Sequence, residues 1–216
     1  MKEPVAPYVT PWAGEMRLPA QVVVTASGVT YADRVHDALG RDVDGVLWEL
    51  RGGTASGRPD YADLHTGRQR ETMENFRCAA CNRPAARDER GMLWLLPLLG
   101  CVPASWEGVQ TVIPPVCEAC AQTSPRLCPE LRTSHVMLRV REAELVGVRG
   151  TLHPRPGEVG DPEPGTVVLY DSPDLPFVVA RHAVRELHRT TIVSLTGATP
   201  STVLSRPRPR ARTAGG

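Results

Sequence analysis

Two Cys-x-x-Cys pairs are the residues of this sequence whose types and spacing could do chemistry. Cys78 and Cys81 enclose two alanines, Cys117 and Cys120 enclose Glu-Ala, and 35 residues separate the pairs. A two-residue spacing lets both sulfurs of a pair bind one ion about 2.3 Å away, and two pairs supply four tetrahedral thiolates. The sequence therefore predicts a structural Zn²⁺ site bound by Cys78, Cys81, Cys117 and Cys120.

Other roles for the cysteines fit the spacing less well than zinc binding does. A thioredoxin-like redox motif would need one pair at a strand–helix junction, not two matched pairs. Disulfides are disfavoured, because the N-terminus leads into no apolar segment of a signal peptide, and the cytoplasm is therefore the expected compartment. We interpret Cys101 and Cys128 as small buried hydrophobic residues. A second metal site built from Cys101, Cys128, His135 and His153 remains an alternative.

The elements expected around the two pairs are a zinc knuckle, a β-hairpin and a helix, in that order. Asn82-Arg-Pro-Ala85 supplies turn residues directly after the first pair. Met92–Leu96 and Gln110–Ile113 can form the two strands of a hairpin, and the second pair follows Pro114-Pro115, where a short helix could begin. The N–H groups at the start of that helix would help to neutralise the thiolates. This order predicts a treble-clef-like site.

A treble clef of this order resembles the zinc scaffold of the HNH nucleases. In that family the scaffold carries a histidine general base and further His or Asn residues that hold a catalytic metal ion. Between Cys81 and Cys117 of this chain, Asn82 is the only asparagine and there is no histidine. A zinc ion saturated by four thiolates also has no open position for water. The resemblance therefore covers the scaffold, and a divergent HNH-like nuclease stays an alternative.

The chain also resembles a group of uncharacterised actinobacterial and actinophage proteins with paired Cys-x-x-Cys motifs. This resemblance implies a cytoplasmic accessory protein and no particular activity. The segments that carry it are the helix that ends at Phe76, Cys78–Ala85, Pro114–Cys120, Cys128–Leu131 and Val184–Leu187.

Composition predicts an α+β protein, a small mixed α/β domain built around the four-cysteine site. Of the 216 residues, 41% are hydrophobic and 23% are charged, which excludes a disordered or membrane chain. The longest apolar stretch, Met92–Val102, is too short and too broken to span a bilayer. The expected units are a Pro-rich arm at 1–16, a strand–helix–strand unit at 17–66, the zinc module at 67–131, an α+β unit at 132–200 and a disordered Arg/Pro tail at 201–216.

Hydrophobic periodicity, and at His65–Phe76 a polar run without proline, predicts the remaining elements. Predicted helices cover Tyr31–Leu39, His65–Phe76 and Leu175–Arg189, the last with Asp174 as its N-cap. Predicted strands cover Gln21–Thr25, Gly45–Leu50, Val136–Val140, Glu144–Thr151, Thr166–Tyr170 and Thr190–Leu195.

Charge is concentrated at the C-terminal end of the chain. The net charge is +1, but Pro176–Gly216 carries seven arginines and a single acid, Glu186, which gives this segment +6. A basic end on a mildly acidic body can contact nucleic acid or an acidic protein surface. The arginines expected to make such contacts are Arg181, Arg185 and Arg189 on the exposed face of the last helix, and Arg206, Arg208, Arg210 and Arg212 in the tail.

These features predict a non-enzymatic, zinc-stabilised regulatory or accessory protein that acts through a protein partner, DNA or both. One concrete form is a phage or mobile-element factor that modulates a DNA-processing enzyme such as an integrase, as a recombination directionality factor does. Direct DNA binding by the basic helix and tail is an alternative. No motif assembles a nucleophile with its base, so we expect no catalytic residues, no small-molecule substrate and no membrane partner.

Overall fold

The structure, a computed structural model, describes residues 6–98 and 102–197 and has a mixed α/β architecture. Four helices are present among these residues: α1 (Arg34–Gly40), α2 (Thr66–Glu74), α3 (Glu118–Leu127) and α4 (Pro129–Thr133). The strands are β1 (Glu15–Arg17), β2 (Val22–Thr25), β3 (Gly28–Tyr31), β4 (Leu47–Trp48), β5 (Arg51–Gly53), β6 (Arg87–Asp88), β7 (Gly91–Pro97), β8 (Val109–Thr111), β9 (His135–Leu152), β10 (Glu163–Leu169) and β11 (Val178–Thr196).

Two long strands, β9 and β11, form the centre of a seven-stranded sheet. They pair antiparallel along their whole length, from Val178 opposite Leu152 to Thr196 opposite His135. The register shifts at three points in β11, and such bulges bend a strand pair. On the far side of β9, β7 pairs with the first half and β10 with the second half, whereas β4 and β8 pair with β11. The hairpin β2–β3 and the pair β1–β5 form two small separate sheets.

The helix predicted at Leu175–Arg189 is wrong, because these residues form a single 3₁₀ turn at Leu175–Phe177 and then enter β11. Apolar residues spaced three and four apart suggested one helical stripe. In the structure, the run from Val178 to Ala180 and the run from His182 to Arg185 are buried on both faces. A strand buried on both faces loses its two-residue alternation, and its apolar positions then imitate a helical pattern.

The three arginines assigned to that helix therefore share no helical face. Arg185 is buried: its Nε donates to the Met73 carbonyl at 2.9 Å, and a terminal nitrogen donates to the Ala143 carbonyl. Its guanidinium lies 3.9 Å from the centroid of the Phe76 ring, and burial lowers its pKa to about 10. Because Met73 is in the last turn of α2, the cation stabilises the negative end of that helix.

The remaining predicted arginines have different surroundings. Arg181 is half-buried and donates to the Asp63 carboxylate. Arg189 is exposed and forms an ion pair with Glu142 at 2.9 Å. The tail arginines Arg206, Arg208, Arg210 and Arg212 lie outside the described residues.

Several other predicted elements are present with shifted bounds. α2 follows the prediction closely, and His65 caps it by accepting from the Arg68 N–H. The two strands predicted at Val136–Val140 and Glu144–Thr151 are parts of the continuous β9. The hairpin predicted from Met92–Leu96 and Gln110–Ile113 is wrong, because β8 pairs with β11 and β7 pairs with β6 and β9. β6 and β7, which are joined by a tight turn, form a local hairpin in its place.

The sheet and α2 join segments that are far apart in the sequence. β4, β7, β9 and β11 come from three of the expected units and belong to one sheet. Gln69 of α2 is fully buried, donates to the carbonyls of Val112 and Ala183, and accepts from the Ala183 N–H. The Trp94 side chain is fully buried on β7, in edge contact with Phe76. No helix among the described residues has the length and apolar character needed to span a membrane.

Arg185 and Arg189 provide a direct test of this fold. We expect Arg185→Ala to lower the free energy of unfolding by about 2–4 kcal/mol, because it leaves the buried Met73 carbonyl at the end of α2 and the half-buried Ala143 carbonyl without their donor. Arg189→Ala, which removes one exposed ion pair, should cost about 1 kcal/mol or less. Urea unfolding of both variants measures the difference. Equal effects would contradict the buried position of Arg185.

Candidate metal centre

Four cysteine sulfurs converge at one place in the fold. The sulfurs of Cys78, Cys81, Cys117 and Cys120 all lie within 4.8 Å of one another, and those of Cys81 and Cys117 are 3.7 Å apart. All four are free thiols in the structure. Cys78 is buried, Cys81 is exposed, and the other two are half-buried. The structure thus brings together the four residues predicted from the sequence, in an arrangement that can bind a metal ion.

The turn at Cys78–Cys81 is shaped by backbone hydrogen bonds. The Cys78 N–H donates to the Arg83 carbonyl at 2.7 Å, and the Asn82 N–H donates to the Cys78 carbonyl at 2.9 Å. Asn82 has a positive φ of 57°, a conformation that asparagine tolerates better than most residues. The N–H groups of Ala80 and Cys81 point at the Cys78 sulfur. The turn therefore supplies two sulfurs and the donors that stabilise negative charge on one of them.

The second pair occupies the start of α3. Cys117 is the N-cap residue, and Cys120 lies in the first turn. The Cys117 N–H hydrogen-bonds to the Cys78 sulfur, and the Cys120 N–H hydrogen-bonds to the Cys117 sulfur. The first N–H groups of a helix have no partner within the helix, and the helix dipole favours negative charge at this end. The positive end of the α3 dipole thus complements the negative charge of the thiolates.

The thiols have different proton affinities. Burial raises the pKa of Cys78, and burial together with the neighbouring thiols raises the pKa of Cys120. Burial also acts to raise the pKa of Cys117, but hydrogen bonds from the Cys120 N–H and from the adjacent thiols outweigh it and lower the pKa. Four thiolates this close together need a cation, so metal binding and deprotonation of the cluster are coupled.

A short network of backbone hydrogen bonds joins the two halves of the site. The Ala79 N–H donates to the Pro115 carbonyl at 2.9 Å, and the Val116 N–H donates to the Leu93 carbonyl at 2.9 Å. The Ala86 N–H donates in turn to the Val116 carbonyl at 3.0 Å. The side chains of Leu93, Val116 and Ala121 pack beneath the cysteines. β7 therefore carries the metal centre on one edge while its other edge pairs with β9.

The N-terminal segment also holds the first cysteine pair, a role that sequence reasoning missed. The Tyr8 N–H donates to the Ala80 carbonyl at 2.9 Å, and the Val9 N–H donates to the Ala79 carbonyl at 3.1 Å. The Tyr8 hydroxyl donates to Glu71 at 2.6 Å, which ties the segment to α2. Val9 is buried. Because the arm is rich in proline, the sequence analysis did not predict this two-residue pairing.

Arg139 is a second feature of the site that the sequence analysis did not predict. Its side chain is buried on β9, donates to the Glu118 carboxylate, and lies 3.3 Å from Asp88. It also donates to the Gly91 carbonyl at 3.3 Å. Arg139 thereby connects the β6–β7 turn to the first turn of α3, where Cys117 and Cys120 lie. An arginine within the apolar run Val136–Val140 was the only signal for this role.

The other cysteines and histidines do not join a second site among the described residues. Cys128 is half-buried between α3 and α4, and the four-cysteine group is the one cluster of potential ligands in this part of the chain. His135 and His153 lie at opposite ends of β9, and His135 contacts the Leu131 carbonyl at 2.6 Å. Cys101 lies outside the described residues.

Replacing a ligand should release the metal ion and unfold the region around it. We expect Cys78→Ser and Cys117→Ser to lose bound metal and to melt at a lower temperature, because metal binding is coupled to folding. Cys128→Ser, which lies outside the cluster, should keep both properties. Metal content by mass spectrometry and thermal unfolding measure the outcome. An unchanged melting temperature in the two ligand variants would contradict the site.

The contact between Arg139 and Glu118 should tune metal affinity without supplying a ligand. We expect Glu118→Gln to weaken metal binding by about tenfold, because groups that orient a ligand element typically contribute this much. Glu89→Gln is the matched control, since Glu89 is exposed at the turn of the same β6–β7 hairpin. Competition with a chromophoric chelator gives both affinities, and equal values would contradict the role of the contact.

No protein family, curated protein or solved structure matches the chain.

Proposed function

We propose that the bound ion is Zn²⁺ and that the site is a treble-clef-like structural centre. Four sulfurs at about 2.3 Å from a tetrahedral zinc ion would be about 3.8 Å apart, close to the 3.7 Å between Cys81 and Cys117. The cysteine turn, the β6–β7 hairpin and α3 follow one another in treble-clef order. Thiolate-only coordination favours zinc over the harder metal ions.

The observation that carries the functional proposal is the closed set of four cysteine ligands. Such a site has no open position for water, so the metal ion stabilises the fold and does no hydrolysis. No histidine lies between Cys81 and Cys117 to serve as the base of an HNH nuclease. We therefore infer a non-enzymatic regulatory or accessory protein that acts by binding a protein partner. In the proposed cytoplasmic, phage-related setting, that partner is a DNA-processing enzyme such as an integrase.

Direct DNA binding is a second candidate, supported by the exposed arginines around the metal centre. Arg83 lies next to the first cysteine pair, and Arg87 lies on β6. Both are exposed and have no ion-pair partner among the described residues. Four further arginines alternate mainly with prolines in the tail. Free guanidinium groups of this kind bind phosphates by releasing counterions.

A salt-titrated DNA-binding assay on the zinc-loaded protein separates the two candidates. If DNA is the partner, affinity should fall steeply with salt and also fall in the Arg83→Gln/Arg87→Gln double variant and in a chain ending at residue 204. Arg34→Gln/Arg58→Gln is the matched control, because these exposed arginines lie far from the cysteines in the sequence and the charge change is the same.

The opposite result would identify a protein partner. If no DNA binds at low salt, direct DNA binding is wrong, and affinity capture from the native source should recover a recombinase or another DNA-processing enzyme. Failure of both experiments would overturn the accessory role. Metal-dependent nicking of plasmid DNA by the purified protein would overturn the non-enzymatic assignment.

A further inference from the structure

A cleft that the metal centre does not use runs across one face of the sheet. It consists of two adjoining cavities of about 580 and 230 Å³. The size is typical of sites that hold small organic ligands. The two cavities are neighbours, because both are lined by Tyr61, Asp63, Leu64, Pro97, Ile113 and Glu130.

One end of the cleft is apolar. The smaller cavity is lined by Val9, Leu95 and Leu131 and also by Cys81 and Cys120. Leu127 of α3 also lines it and is 60% exposed. An apolar ligand group that covers this leucine would remove its surface from water, which is favourable. This end therefore suits a short hydrocarbon chain.

The other end of the cleft carries a free cation. Arg149 on β9 is the register partner of His182 on β11 and of Val167 on β10, and all three line the larger cavity. The Arg149 Nε donates to the Gly165 carbonyl at 3.2 Å. Gly165 has a φ of +74°, and an added Cβ would lie 3.3 Å from a terminal nitrogen of Arg149. The absence of a side chain at Gly165 thus leaves space for the Arg149 guanidinium to lie across β10.

The acids nearby do not neutralise Arg149. Asp63 accepts hydrogen bonds from three other arginines, Arg17, Arg51 and Arg181. Arg149 has no ion-pair partner among the described residues, and His182 is neutral near pH 7 because burial lowers its pKa. Glu130 is the remaining acid on the lining and lies where the two cavities meet. Arg149 therefore keeps a positive charge at this end of the cleft that no carboxylate of the described residues pairs with.

We propose that this cleft binds a small amphipathic carboxylate, with its anionic group at Arg149 and its hydrocarbon chain in the apolar cavity beside α3. A guanidinium pairs with a carboxylate through two parallel hydrogen bonds, which fixes the orientation of the ligand. The proposal does not rest on the proposed function: Cys81 and Cys120 line the apolar cavity, but the proposed contacts of the ligand are with Arg149 and Leu127.

Calorimetric titration of the metal-loaded protein with octanoate tests the proposal. Octanoate should bind saturably, whereas 1-octanol, which has the same chain without the charge, and acetate, which has the charge without the chain, should bind about tenfold more weakly or worse. Arg149→Gln should lower the octanoate affinity by about tenfold and leave that of 1-octanol unchanged. Leu127→Gln should weaken both ligands that carry the chain.

The control is Arg34→Gln, an exposed arginine with no ion-pair partner among the described residues. It should bind octanoate as the unaltered protein does. The proposal is overturned if octanoate shows no saturable binding at millimolar concentration, or if Arg149→Gln binds it as tightly as the control. Metal content measured on the same samples separates these results from a failure of the metal site.

Discussion

The antiparallel pairing of β9 with β11 is the interaction on which the other elements depend. Each remaining strand of the main sheet pairs with one of these two, or reaches them through β7. α2 is attached to β11 by the side chain of Gln69, which satisfies both the N–H and the carbonyl of Ala183. The metal centre is held by the outer edge of β7. Its cysteines are therefore positioned by a ladder of backbone hydrogen bonds that begins at the far side of the sheet.

Three arginines in the described part of this protein have internal roles. Arg139, Arg185 and Arg51 have largely buried side chains, and their partners differ: carboxylates and carbonyls for Arg139, carbonyls and an aromatic ring for Arg185, and the shared carboxylate of Asp63 for Arg51. The planar guanidinium has five donors and is weakly hydrated, which suits it to such positions. Removing one partner from a buried pair leaves a charge without compensation, so these contacts are specific rather than interchangeable.

The cysteine cluster and α2 could be predicted from the sequence because their signals are local. A two-residue spacing places two sulfurs on one turn, and a polar run without proline indicates a helix. The conformation of Val178–Arg189 could not be predicted in this way. Burial on both faces depends on β4, β8 and β9, which are distant in sequence, and tertiary packing decided between two patterns of similar local strength. The contact of Tyr8 and Val9 with the cysteine turn likewise depends on a pairing that no local pattern encodes.

The position of the cysteines along the chain has a consequence for synthesis on the ribosome. All four precede β9, whereas the strands that complete the sheet come after them. A nascent chain that has emerged as far as α3 already holds every sulfur ligand, together with the N-terminal segment that braces the first pair. The ion can then fix β7 before its partner strand exists. A bound ion would thus order β7 early, and β9 and β11 would complete the sheet once they are synthesised.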